Sequence, residues 1–283
     1  MHLHRFAELM TGTNRRPSFG RDSVWLASAD VVAVLLAFIG QLILARALIS
    51  ESYGLFVIAV DLFATLFLLV DLGLPTLLAR DGPRNPSAIW PGMLRIYRLQ
   101  GLVVILFAPI VVSLVLSQSV HDGLMLIGAG VALVHIASYA PRAALRAAGD
   151  ARFESITKVI ERLMTTVGYA SLYFIDSSDV VAYAAVFFGG AIVGLILALI
   201  GAYWTCAKIS GDAKSSQLGS DWVSKKSLLF AALPFAITLG VLPYVIRIEK
   251  FILANELGLD EVALFHVAQL AWLAGLLVPQ AMR

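Results

Sequence analysis

The stretch from Pro243 to Gly258, PYVIRIEKFILANELG, sets Arg247, Glu249 and Lys250 inside an apolar run. From Leu228 to Ile246 the chain carries no charge, and Phe251-Ile252-Leu253-Ala254 resumes the apolar pattern beyond the three ionisable residues. A run of that length reads as a membrane helix, because about 20 residues cross a hydrocarbon core about 30 Å thick. A charge held inside such a helix costs from ~3 kcal/mol upward at the bilayer centre, so it faces a wet cavity or a partner of opposite sign. The rest of the chain reads as the bundle that encloses that cavity.

Composition places the whole chain in the same class. Over 283 residues it is 59% hydrophobic and 14% charged, with a mean hydropathy of +0.85. Neither strand alternation nor amphipathic helical patterning dominates, which excludes a soluble domain and a β-barrel reading. About eight apolar spans follow, near 24–47, 54–79, 97–117, 123–143, 155–175, 180–206, 227–254 and 261–281. The expected fold is therefore all-α, a polytopic transmembrane helix bundle. The polar segment 1–22 has no small-residue cleavage pattern and is expected to remain as a cytoplasmic tail.

Placement of the basic residues orients the spans. On alternating-loop counting, 18 of the 21 Lys and Arg residues fall on one side, leaving Arg46, Arg247 and Lys250 on the other. The positive-inside rule then puts both termini in the cytoplasm.

The stretch Ile43-Leu44-Ala45-Arg46-Ala47-Leu48, running on to Phe56 and Ala59, recurs at a constant offset of 209. There it is Ile252-Leu253-Ala254-Asn255-Glu256-Leu257, running on to Phe265 and Ala268. Each copy is an outward helix, a short turn and a returning helix, which predicts a parallel repeat about an axis along the membrane normal. On this reading residues 23–210 form a first lobe of about six helices, and 211–226 a cytoplasmic linker. Residues 227–283 are the first two helices of a second lobe, so the chain is expected to be cut short at its C-terminal end.

Ionisable residues concentrate in spans one, two and seven. Arg247 and Lys250, one helical turn apart, share a face and are the first candidates to bind an anionic substrate, with Arg46 beside them. Glu249, Asp30, Asp61 and Asp71 are the candidate cavity carboxylates, for charge balance or ion coupling. The alternative is structural pairing between helices, with Arg46, Arg247 and Lys250 reaching out to the interface. Pro234, Gly240 and Pro243 interrupt the seventh span's hydrogen-bond ladder and mark a candidate hinge. His135 and His266 read as hydrogen-bonding groups between helices. The helix from Ala151 to Arg162 reads as having a solvated end with an ordinary Glu154–Lys158 pair.

The chain shows no nucleotide loop, dinucleotide fingerprint, HExxH or nucleophile turn, and its five His and single Cys have no ligand spacing. No enzyme activity, cofactor, metal site or nucleic-acid partner is therefore expected.

Three stretches carry a resemblance. LARALISESYGLFVIAVDLFATLFLLVDLGL (Leu44–Leu74) resembles the opening hairpin of polysaccharide-biosynthesis flippases, of the multidrug/oligosaccharidyl-lipid/polysaccharide exporter superfamily. IRIEKFILANELGLDEVALFHVAQLAWLAGLLVPQAM (Ile246–Met282) is similar to the start of their second lobe, and LRAAGDARFESI (Leu145–Ile156) to the loop between their fourth and fifth spans. The resemblance implies a V-shaped bundle of two six-helix lobes in the bacterial inner membrane. It also implies transfer of polyprenyl-pyrophosphate-linked oligosaccharides to the external leaflet for O-antigen, capsule or exopolysaccharide assembly. Arg247, Glu249 and Lys250 match the family's charged helix, with Arg46 and Asp30 as further candidates. The implied partners are the bilayer, the lipid-linked oligosaccharide and the polysaccharide polymerase and chain-length machinery. The competing expectations are a proton- or sodium-coupled drug antiporter of the same superfamily, using Asp30, Asp61 and Asp71, and a remnant that transports nothing.

Overall fold

The computed structural model describes residues 19–116, 122–212 and 225–281. Among them the chain is helical apart from short turns, as an all-α polytopic bundle requires. The helices are α1 (Phe19–Ala47), α2 (Ser50–Asp71), α3 (Leu74–Asp81), α4 (Ile89–Leu116), α5 (Asp122–Ala147), α6 (Ala151–Phe174), α7 (Val180–Asp212), α8 (Lys225–Glu256) and α9 (Leu259–Ala281). At 1.5 Å per residue the 22 residues of α2 already reach about 33 Å. Most of the expected tail and linker, residues 1–18 and 213–224, lies outside the described residues, and α1 begins within the segment expected to be tail.

Among the described residues, five stretches are long and apolar enough to cross a membrane: Val24–Ala47, Ser50–Phe67, Pro86–Ser113, Gly123–Ala147 and Val180–Cys206. Leu102, Ile105, Leu106 and Val112 on α4 are all more than half exposed, as side chains are where lipid, not protein, covers them. The expected fifth span is different, because α6 is interrupted by Lys158, Glu161 and Arg162.

The expected second span, 54–79, is two helices. Leu72 (φ 52°) and Gly73 (φ 66°) both adopt the left-handed conformation, which ends α2 and restarts the chain as the short α3. Gly73 has a second reason to be glycine. A Cβ there would lie 2.7 Å from the backbone nitrogen of Ala236, so α8 passes directly against the chain at the break. Beyond it, Leu74, Leu77 and Leu78 of α3 are buried with Ile89, Met93 and Ile96 of α4 and Ala140 and Ala144 of α5. Arg80 closes the far end on Asp81 at 2.8 and 2.7 Å, and this hydrogen-bonded guanidinium holds the Asp81 carboxyl below its usual range. A larger core, with Leu44, Tyr53, Phe56, Phe63, Phe67 and Tyr169, joins α1, α2 and α6.

The repeat reaches down to helix ends. Helix α1 stops at Ala47 and α2 starts at Ser50, while α8 stops at Glu256 and α9 starts at Leu259, the same offset of 209 at both boundaries. The two hairpins pack together with their turns at one end of the bundle. A Cβ on Gly54 of α2 would fall 2.0 Å from the carbonyl oxygen of Leu259, so the second hairpin seats directly on a bare stretch of α2 backbone. Gly54→Ala is therefore expected to push α9 away from α2 at a cost of about 1–3 kcal/mol. Thermal unfolding in detergent, with a cysteine crosslink between α2 and α9 as a second readout, checks this. An unchanged melting temperature and crosslink yield would refute the seating.

Candidate functional site

Within a bundle surrounded by hydrocarbon, an ionised side chain is stable only with a partner. Asp61, in the middle of α2, has two. Lys250 of α8 donates to its Oδ2 at 2.7 Å, and Arg247 brings Nε to 3.3 Å from Oδ1. One turn of α8 separates the two cations, so both face α2, and Lys250 is only 3% exposed. The group carries two positive charges against one negative. Arg247 also keeps a buried Nη1 with no hydrogen-bond partner.

The other expected site residues separate from this group. Glu249 and Arg46 are exposed and make no ion pair among the described residues. Asp30 is more than half exposed and accepts from Lys158 of α6 at 3.0 Å. Asp71 lies at the end of α2, with Oδ1 buried and unpartnered. The backbone of α8 stays helical through Pro234, Gly240 and Pro243, and the side chains of residues 238–243 lie outside the described residues.

A second charged group sits between α5 and α6. The helix end expected to be solvated is buried on this face: Glu154 is 0% and Glu161 2% exposed. Glu161 takes Arg142 of α5 through Oε2 and meets His135 at 3.2 Å through Oε1. Glu154 takes Arg146 in a two-point pair, with Nε at 3.0 Å and Nη2 on the other oxygen, and also Lys158 at 3.3 Å. A two-point guanidinium–carboxylate pair is the strongest arrangement these side chains can make. Helix α7 closes over the pair at Gly194, where a Cβ would fall 2.4 Å from Glu161 Oε2. His135 bonds between helices as expected. His266 of α9 rests its ring 5.9 Å from that of Tyr53 of α2, with Nδ1 buried and without a hydrogen-bond partner.

This group was within reach of the sequence. Arg142 and Arg146 are four apart on α5, Glu154 and Glu161 seven apart on α6, and only a three-residue turn joins the helices. A turn that short keeps the adjoining helix ends close, and both spacings keep their charges on one face of each helix.

Beside it lies a cavity of about 360 Å³, lined among others by Asp71, Thr76, Tyr139, Arg142, Arg146 and Lys158. On a different part of α6, an apolar groove of about 270 Å³ runs against α1 between Trp25, Val32, Ile156, Val159 and Ile160. Among the described residues no three His, Cys, Asp or Glu side chains are grouped so as to hold a metal.

The chain matches a family model described as polysaccharide biosynthesis protein over residues 19–278. No curated protein and no solved structure matches it.

Removing one partner of a buried pair strands the other, at a cost of about 3–5 kcal/mol. Glu161→Ala is therefore expected to lower the melting temperature sharply in detergent, by leaving Arg142 unpaired. The double replacement Arg142→Met with Glu161→Leu is expected to recover most of the loss. Additive losses in the double variant would refute a direct pair.

Proposed function

We propose that this chain, which belongs to the polysaccharide biosynthesis protein family, is a flippase for polyprenyl-pyrophosphate-linked oligosaccharide repeat units. The family and the apolar helices make it a multi-pass membrane protein of polysaccharide biosynthesis. The finer reading rests on one observation, the group in which Asp61 holds Arg247 and Lys250 together.

That group has the chemistry of an anion exchanger. One carboxylate neutralises two cations incompletely, and a diphosphate offers more charge and more acceptor oxygens than Asp61 does. Arginine presents a planar fork that suits phosphate oxygens, and lysine adds a point charge. A headgroup that takes both cations frees α8 from α2, so binding and helix movement become one event. Such coupling is what a carrier needs if it is to open only when loaded. The proline-bearing α8 is the helix that would move. The lipid tail would stay in the bilayer, and the groove between α1 and α6 offers it an apolar surface.

The two-lobe division at residues 23–210 and 227–283, the cytoplasmic N-terminus and the bacterial inner membrane belong to the same proposal. So does cooperation with the polysaccharide polymerase and chain-length machinery. The orientation is supported by the one-sided distribution of Lys and Arg.

The expected outcome is that Arg247→Ala with Lys250→Ala abolishes export while leaving membrane insertion intact. The measurement is made in cells lacking the gene, by assaying which leaflet holds the completed lipid-linked repeat units. Accumulation on the cytoplasmic face with the double variant, relieved by the wild type, supports the flippase. Normal export by the double variant would sink it. Loss of proton-dependent dye efflux in the Asp61→Asn variant, with export intact, would turn the reading to a drug antiporter.

A further inference from the structure

The cavity beside α5 and α6 has a chemistry different from that of the Asp61 group and shares no residue with it. Its cations are already matched: Arg142 by Glu161, Arg146 by Glu154, and Lys158 by Glu154 and Asp30. Asp71 adds a carboxylate that pairs with none of them, so a phosphate would have to compete for cations already paired and would face an opposing carboxylate. Two atoms are nevertheless left over. Asp71 Oδ1, an acceptor, and Arg142 Nε, a donor, are both buried and without a hydrogen-bond partner, and both residues line the cavity. Tyr139, 41% exposed as a residue, contributes an aromatic ring, and Thr76 a hydroxyl.

One acceptor, one donor and an aromatic face in a cavity of about 360 Å³ are what a pyranose ring needs. Its hydroxyls both donate and accept, and so would satisfy Asp71 and Arg142 together. The C–H face of the ring is apolar and packs on an aromatic side chain. Small-molecule sites run from about 300 Å³ upward and hold a few well-placed polar groups in otherwise apolar walls. A bare phosphate would leave Asp71 and Tyr139 unused. A metal cation would find one free carboxylate where it needs several oxygens.

We infer that this cavity is a sugar-reading site, binding an uncharged pyranose through Asp71, Arg142 and Tyr139. Resting on the flippase reading, it divides the recognition of one substrate. The Asp61 group takes the diphosphate, and this cavity inspects the sugar attached to it. The selectivity of the protein among oligosaccharides then resides in α2, α3 and α5, away from the cations of α8.

The test uses the purified full chain in detergent and the oligosaccharide released by mild acid from the cell's own lipid-linked repeat units, which carries no diphosphate. Binding is followed by saturation-transfer NMR. The wild type is expected to bind it. Tyr139→Ala and Asp71→Asn are expected to weaken it about tenfold or more, the scale of losing a stacked face or one hydrogen bond to a charged group. Tyr139→Phe should retain binding, as should the Arg247→Ala with Lys250→Ala variant. Absence of saturable binding, or binding that survives both Tyr139→Ala and Asp71→Asn, overturns the site. If simple methyl pyranosides bind as tightly as the released oligosaccharide, the site takes free sugar. Tighter binding of the oligosaccharide assigns it to the exported unit. Because the ligand lacks phosphate, the result is separate from the leaflet assay. Normal export by the α8 double variant would remove the flippase reading and leave this binding intact, whereas export without oligosaccharide binding would remove only this site.

Discussion

Charge neutralisation inside an apolar bundle is the constraint on which the arrangement depends. Asp61 can occupy the middle of α2 because Lys250 and Arg247 arrive from α8, and those cations can sit in α8 because Asp61 is there. Glu161 and Glu154 stand in the same relation to Arg142 and Arg146. Each pairing fixes two helices in register as well as in contact, since a shift of one residue would turn a charge by about 100° into lipid. The two groups differ in balance. Around Asp61 one carboxylate faces two cations, whereas Glu161 holds Arg142, and Glu154 with Asp30 of α1 holds Arg146 and Lys158. That difference decides what each can attract.

The all-α polytopic class is legible in the sequence because it is a local property, and so is the presence of ionisable residues inside the apolar run of α8. Length and apolarity read off one segment at a time, and the 209-residue offset survives in the residues of the two turns. The pairing of Asp61 with Lys250 does not read off in that way, since 189 residues separate them and their contact depends on how two hairpins dock. Nor does the scattering of Asp30, Arg46 and Glu249 away from that pair. Spacing along a helix says which face a charge occupies, not which helix stands opposite. The α5–α6 group is an intermediate case. Its spacings are visible, but nothing local to the segment shows that α7 covers Glu161 and Arg142 at Gly194 where solvent is expected.

The broken second span follows the same logic. Gly73 and Pro75 in DLGLP signal an interruption. The run of apolar residues on either side nevertheless suggested one continuous helix. What ends α2 is the close approach of α8 at Ala236, together with the left-handed turn at Leu72 and Gly73. Neither is expressed in the hydropathy of the segment. The break directs α3 into the core and places Asp71 at a helix end, where its carboxylate lines a cavity.

The charge content of α6 bears on how the protein is made. Each Asp, Lys or Arg at the centre of a helix raises the free energy of insertion by about 2.5–3.5 kcal/mol, against gains of well under 1 kcal/mol for each Leu or Ile. Helix α6, with Glu154, Lys158, Glu161 and Arg162, is therefore a poor passenger by itself. Its partner α5 emerges from the ribosome immediately before it, carrying Arg142 and Arg146 on the matching face. Entering after α5, α6 meets Arg146 and Arg142 as counter-charges for Glu154 and Glu161, and Lys158 finds a further carboxylate in Asp30 of α1, so the cost of its polar residues is lowered by helices made before it.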